Sequence, residues 1–346
     1  MTATHPLSTN GGFIDTDTCS RCLRERTIDL TAERVLVTDL RGSAREADLF
    51  EPVNCDGFGR IRHFRSTTAP GWPANSLPHL PACAALGMQA GKTLRAQMFQ
   101  NAAHNWRCRG CCVPFDRLSA DPRRSAWFTA NELLDAWLEQ DVPPQVIDLS
   151  GGRSDLVPEW TVWMIEALEA RGLTAFLWGD DSLSTDYFFR FLTSRQQQLI
   201  ASYPRYARVC CFKGFDESSF AFNTAAAPGL FGRQFELSER LHAIGMDLYA
   251  YVTFTTADPD RIAERMHVFC DRLQCIDPML PLRAIPLEIE VWGPVAARMR
   301  PERTVSLHLQ QEAIAHWNAE ILQRFSPAER ELPINCVPLI QVGAAR

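Results

Sequence analysis

Between residues 93 and 293, short apolar runs alternate with helix-like stripes, and this rhythm leaves the chain few ways to fold. The runs cover residues 94–100, 146–149, 174–178, 207–212, 246–254 and 282–292, the last broken at Pro286. Runs this short and this apolar are predicted to be parallel strands buried on both faces. Between them, Thr129-Ala130-Asn131-Glu132 reads as a capping box, with Leu133, Leu134, Trp137 and Leu138 on one face of the helix that follows. Pro143-Pro144 ends it. Pro158 opens the next helix, whose buried stripe is Trp160, Trp163, Met164, Ala167 and Leu168 and whose stop is Gly172. Residues 231–244 are predicted helical with Gly245 as the stop, and Asp258-Pro259 is expected to cap a helix running through Leu273. Parallel strands with short right-handed crossovers allow little but an α/β fold. Six strand–helix units in a row fit a partial (β/α)6 barrel over residues 93–293.

The flanks look different. Residues 1–92 are rich in Pro, Gly, Ser, Thr and charge, with one strand pattern at 34–40, and form an expected N-terminal extension. Residues 294–346 carry an amphipathic helix over 308–325 and a proline-punctuated tail with Cys336, expected to close the open side of the barrel. In the extension, Cys19-x2-Cys22 is followed by Cys55 and Cys83. Four thiolates make a tetrahedral structural zinc site; a second metal cluster and four unliganded thiols are the other readings.

Charge and hydropathy narrow the setting. With a formal charge of −6 and scattered arginines among 346 residues, the chain lacks the basic footprint of a nucleic-acid binder. Residues 1–19 show no basic start followed by an apolar run, and no window nears the roughly 18 to 20 apolar residues of a membrane helix. A cytoplasmic protein is expected. Its twelve cysteines then point to metal or thiol chemistry before disulfides. Cys210, Cys211, Cys270 and Cys275 read as buried core thiols.

The chemistry is expected just past the first run, at His104-Asn105-Trp106-Arg107-Cys108-Arg109-Gly110-Cys111-Cys112. His104, Cys108 and Cys111 can close three ligands around one metal centre in a single loop. A zinc site on Cys108, Cys111 and Cys112 is a weaker reading of the same loop. The second run, Val146-Ile147-Asp148-Leu149, ends in Ser150-Gly151-Gly152-Arg153, followed by Leu156-Val157-Pro158-Glu159-Trp160. Together these motifs resemble the radical S-adenosylmethionine (radical SAM) family, with His104-x3-Cys108-x2-Cys111 in place of Cys-x3-Cys-x2-Cys and Gly151-Gly152-Arg153 in place of Gly-Gly-Glu. The resemblance extends over residues 93–293.

The resemblance implies a [4Fe-4S] cluster on His104, Cys108 and Cys111 and S-adenosylmethionine on its open iron. It also implies reductive cleavage of SAM to a radical that abstracts hydrogen from a small-molecule or peptide substrate, and an electron donor such as flavodoxin or ferredoxin. Some members of the family carry an auxiliary cluster, which is one role for Cys19, Cys22, Cys55 and Cys83. Three departures stand out: His104 for cysteine, Gly110 for an aromatic and Arg153 for glutamate. An imidazole makes the cluster less negative by about one charge, which raises its potential and makes SAM cleavage harder. A guanidinium accepts no hydrogen bond, so Arg153 would repel the methionyl ammonium, though it could bind a carboxylate. The alternative is therefore a degenerate radical SAM scaffold that has lost redox activity and binds a ligand or partner.

In parallel barrels, ligands sit at the carboxyl ends of the strands. Gly151, Gly152, Arg153, Asp180, Asp181, Ser182 and Lys213 are thus the expected cofactor contacts, with Thr255-Thr256 on the same rim. The glycines admit close backbone approach. Asp180, Asp181 and Ser182 suit ribose hydroxyls, their bland reading being a helix cap in a solvated turn; Lys213 suits a carboxylate, its bland reading being a snorkelling surface residue. No nucleophile–base pair or hydrolytic triad stands out.

Overall fold

The apolar runs form one seven-stranded sheet in a computed structural model that describes residues 9–10, 12–44, 46, 50–65, 76–291 and 293–340. Six strands run parallel in chain order: Thr93–Phe99, Val146–Leu149, Phe176–Asp181, Tyr206–Phe212, Leu248–Val252 and Ala284–Pro286. Neighbours in sequence being neighbours in the sheet, each connection crosses back over one face. The helices Ala130–Leu138, Glu159–Ala170, Ser194–Ser202, Leu230–Ala243 and Ile262–Ile276 lie in these five crossovers. Thr129 and Glu132 make the expected capping box, and Gly172 and Gly245 take φ of +62° and +81° just past their helices.

Strand alternation sorts the core into two layers. Ile147, Leu149, Leu177, Cys210, Phe212, Ala250 and Val252 pack with the helices. Ala96, Val146, Phe176, Trp178, Val209, Cys211, Tyr249 and Tyr251 form the opposite face. That face is covered by the helix His79–Leu86, through Leu77 and Ala82, and by Ile334. The Tyr251 hydroxyl donates to the Leu77 carbonyl at 3.1 Å, and Arg283 Nε donates to the Val337 carbonyl at 2.8 Å.

Residues of the first 92 join this architecture. The strand Gly59–Arg65 pairs antiparallel with Thr93–Phe99 at the sheet edge, and Arg34–Thr38 pairs with Ser125–Thr129 in a separate three-stranded sheet. The helix Thr16–Thr27 docks through Arg24, which binds both carboxylate oxygens of Glu159 at 2.9 and 2.5 Å and donates to the Leu156 carbonyl at 2.9 Å. Among the described residues no helix is long and apolar enough to cross a membrane. Residues 1–8 and 11, on which the reading of the amino terminus partly rests, lie outside the described residues.

Several boundaries differ from expectation. The third parallel strand runs on through Asp181, so Asp180 and Asp181 are strand residues rather than turn residues. The sixth is only Ala284–Pro286, because residues 280–283 form a 3-10 helix before it; residue 292 lies outside the described residues. Asp258-Pro259 does not cap a helix: Ile262–Ile276 starts after Arg261, and Asp258 instead binds Asp260 N and Arg265. Cys275 is exposed, not core. The last long helix begins at Pro301, a residue suited to a first turn, and runs to Arg324. It packs on Ile262–Ile276, with the Trp317 ring 5.5 Å from Phe254 and 6.1 Å from Phe269.

Candidate functional site

The loop 100–112 is fixed by its own polar residues. Trp106 Nε1 donates to Thr16 Oγ1 at 2.9 Å, and Asn105 Nδ2 donates to Ser20 Oγ at 2.8 Å and Ser184 Oγ at 2.9 Å. Arg107 and Arg109 donate backbone N–H groups to the carbonyls of Thr224 and Asn223. The loop therefore hangs between the amino-terminal helix and the helix Glu217–Thr224.

It meets the Gly151-Gly152 turn over a cavity of about 150 Å³ at the carboxyl ends of the strands. His104, Cys108, Cys111 and Cys112 line it together with Gly151, Gly152, Arg153, Asp180, Ser182 and Lys213. Gly151 sits at φ +96°, a conformation that favours glycine. At Gly152, a Cβ would stand 2.0 Å from the Asn101 carbonyl oxygen, so only glycine lets the two loops touch.

Asp181 is an expected cofactor contact that the structure does not bring here, and the four cysteines expected at a separate second site are spread over different elements. Asp181 points to the helix side of the sheet, where Arg208 binds it at 2.7 Å with both side chains under a tenth exposed. Cys19 and Cys22 lie on the helix Thr16–Thr27, Cys55 donates to the Ala136 carbonyl at 3.4 Å, and Cys83 sits on the helix His79–Leu86. Burial pushes the Cys55 thiol up to about 12. Among the described residues no three His, Cys, Asp or Glu side chains gather tightly enough for a single metal ion. A larger depression of about 1150 Å³, lined in part by Arg24, Trp127 and Arg190, contains none of the motif residues.

Other residues enter unannounced. Arg62, from the edge strand, reaches Asp148 at 2.7 Å and Ser150 at 2.8 Å beneath the glycine turn. Cys211, Asn223, Thr253, Leu287 and Ile289 complete the wall. Alternation along Tyr206–Phe212 was the available signal for Cys211; no local signal marks Arg62. Thr255 donates to Asn223 Oδ1 at 2.6 Å and so braces the wall from behind.

Burial and then Asp148 raise the Asp180 carboxyl to about 6, against the pull of Arg62 and Lys213; Trp178 Nε1 donates to it at 3.1 Å. A carboxyl raised above its unfolded value of 3.8 contributes stability that is full below 3.8 and lost as pH rises through 6. Asp180→Asn keeps the acceptor for Trp178 and removes the titration. The variant should therefore gain on the wild type between pH 4 and pH 7, by on the order of 2 kcal/mol, in urea unfolding at the two pH values. A constant difference between the two proteins would remove the assignment.

For a cluster, the donor set is Cys108, Cys111 and His104. A cluster spreads its ligands over three irons, so it needs a wider spacing than one ion, and all three side chains face the same cavity. Burial, Cys112 and Cys108 raise the Cys111 thiol to about 11. Burial, Arg153, Lys213 and Arg107 hold His104 neutral, well below the usual imidazole range. Trp106 N–H donates to His104 Nδ1 at 3.0 Å, which leaves the ring proton on Nε2, 3.7 Å from Cys108 Sγ. Ligation through Nε2 requires that proton to move and that bond to break. One hydrogen bond is worth about 1–3 kcal/mol, small against metal-binding energies on the order of 10 kcal/mol. The donor types suit a cluster, and His104 would have to change tautomer to join it.

No family model and no curated protein matches the chain. Among solved structures, it is similar to Streptococcus suis SuiB bound to S-adenosylmethionine, with TM-score 0.43, 13% identity and coverage of 72% of this chain and 52% of that one. It is also similar to Streptococcus suis SuiB bound to precursor peptide SuiA, with TM-score 0.35, 12% identity and coverage of 50% and 35%. The chain thus spans about half or less of the length of these structures.

Proposed function

We propose that the chain is a radical SAM-type enzyme that binds S-adenosylmethionine in this cavity and acts on a small molecule or peptide. The observation that carries the reading is convergence: two motifs far apart in sequence line one cavity at the carboxyl ends of parallel strands. Cys108, Cys111 and His104 would hold a [4Fe-4S] cluster, which when bound supplies one electron to SAM and draws it from a flavodoxin- or ferredoxin-like donor. The chain's own residues bind, orient and shield. Gly151 and Gly152 let the ligand approach the backbone, and Ser182 and Asp180 offer hydroxyl and carboxyl groups to ribose. Leu287, Ile289 and Trp106 keep water from the loop side. Residues 93–293 form the catalytic unit in this reading, with 1–92 and 294–346 as its flanks.

A second reading, a ligand-binding scaffold without redox activity, is favoured by Arg153, whose Nη2 donates to Cys108 Sγ at 3.7 Å and so already occupies that sulfur. Protein purified without oxygen separates the two. The enzyme reading expects iron and sulfide with a [4Fe-4S] paramagnetic resonance signal that SAM perturbs. Iron-free protein that resists reconstitution would sink it and leave the scaffold.

A further inference from the structure

Arg153 is 4% exposed, yet among the described residues no carboxylate pairs with it. Its contacts are Asn105 Oδ1 at 3.3 Å from Nε, Cys108 Sγ at 3.7 Å from Nη2, and the Trp106 ring at 4.9 Å. Neither of these hydrogen bonds uses Nη1, and Arg153 lines the cavity. Lys213 lines the same cavity, and its ammonium likewise has no ion-pair partner among the described residues. Of the chain's other buried arginines, Arg24 pairs with Glu159, Arg208 with Asp181 and Arg283 with Asp247, while Arg117 donates to the Arg41 carbonyl. Buried charge is costly unless compensated. Here two cations face one small space, with Asp180 as the only carboxylate among its lining residues.

We propose that the cavity takes the carboxylate of its ligand on Arg153, with Lys213 as the second cation, so that the glycine turn reads an anionic end rather than an ammonium. This rests on the SAM reading for the whole ligand, but the carboxylate subsite stands on its own residues. A planar carboxylate matches the guanidinium fork, and Lys213 adds a point charge. The methionyl group would then lie with its carboxylate, not its amine, toward the turn after Val146–Leu149.

The test is calorimetry on the full chain with two pairs of probes: SAM against decarboxylated SAM, and L-methionine against 3-(methylthio)propylamine. The wild type should prefer the carboxylate member of a pair by about tenfold or more. Arg153→Gln should bring the members within about twofold, and Arg153→Lys should restore part of the preference. Lys213→Gln, read beside them, covers a failure of Arg153→Gln to fold by lowering the preference from the second cation. Equal binding of SAM and decarboxylated SAM would overturn the carboxylate subsite and leave the SAM reading standing. Discrimination within the methionine pair, with neither adenosyl compound bound, would support the subsite and overturn the SAM reading. Absence of binding by all four would overturn both.

Discussion

Glu159→Ala is expected to lower the free energy of unfolding by about 3–5 kcal/mol, the usual cost of leaving a buried charge without its partner. Arg24 and Glu159 are 9% and 8% exposed at their side chains, and no other carboxylate among the described residues pairs with that guanidinium. The stranded Arg24 would keep the Leu156 carbonyl and the rings of Phe191 and Tyr187, 3.8 and 5.8 Å from its guanidinium carbon. The effect should reach the site, since the docked helix carries Thr16 and Ser20, which hold Trp106 and Asn105. Urea unfolding gives the stability change, and hydrogen exchange at residues 16–27 reports the helix. Replacing both partners, as Arg24→Met with Glu159→Leu, should cost much less than the single change. An equal loss in the double variant would show that the helix, not the unpaired charge, carries the effect.

Gly152→Ala is expected to destabilise by about 3 kcal/mol, at the upper end of overpacking costs. The added methyl meets backbone, not a pliable side-chain end: Asn101 O at 2.0 Å and Ala103 O at 3.0 Å. Relief requires the two loops to separate, which moves His104 and Cys108 away from the turn. On the proposed cluster reading, iron uptake during anaerobic reconstitution should fall with stability. Gly172→Ala is a control, because its Cβ meets nothing within 4 Å; only its φ of +62° resists substitution. A Gly152→Ala protein with wild-type stability and iron uptake would mean that the loops part at little cost.

The alternation of apolar runs and helical stripes is legible because it is local. The capping box at Thr129 and the stop at Gly172 need only neighbouring residues, and both stand where the spacing puts them. Asp180 and Asp181 show where local reading ends. As adjacent acids they look alike, but once the strand continues to residue 181 its two-residue period sends one to the cavity and the other to Arg208. The strand end was missed because Gly179-Asp180-Asp181 has turn composition, and its place between two paired strands overrides that preference. Arg62 lies further beyond reach. Its link to Asp148 joins residues 86 apart and depends on an antiparallel edge strand within a segment whose composition resembles a linker. The loop chemistry was visible as spacing alone, while the hydrogen bond from Trp106 that sets the His104 tautomer exists only once the loop is folded.

Leu77, Ala82 and Ile334 fill the sheet face beneath the cavity, with Arg62 and Asp148 across its base. Among the described residues these side chains close the base of the space. On the proposed reading a chain molecule would then be read from the strand ends inward, one side chain, terminus or bend at a time.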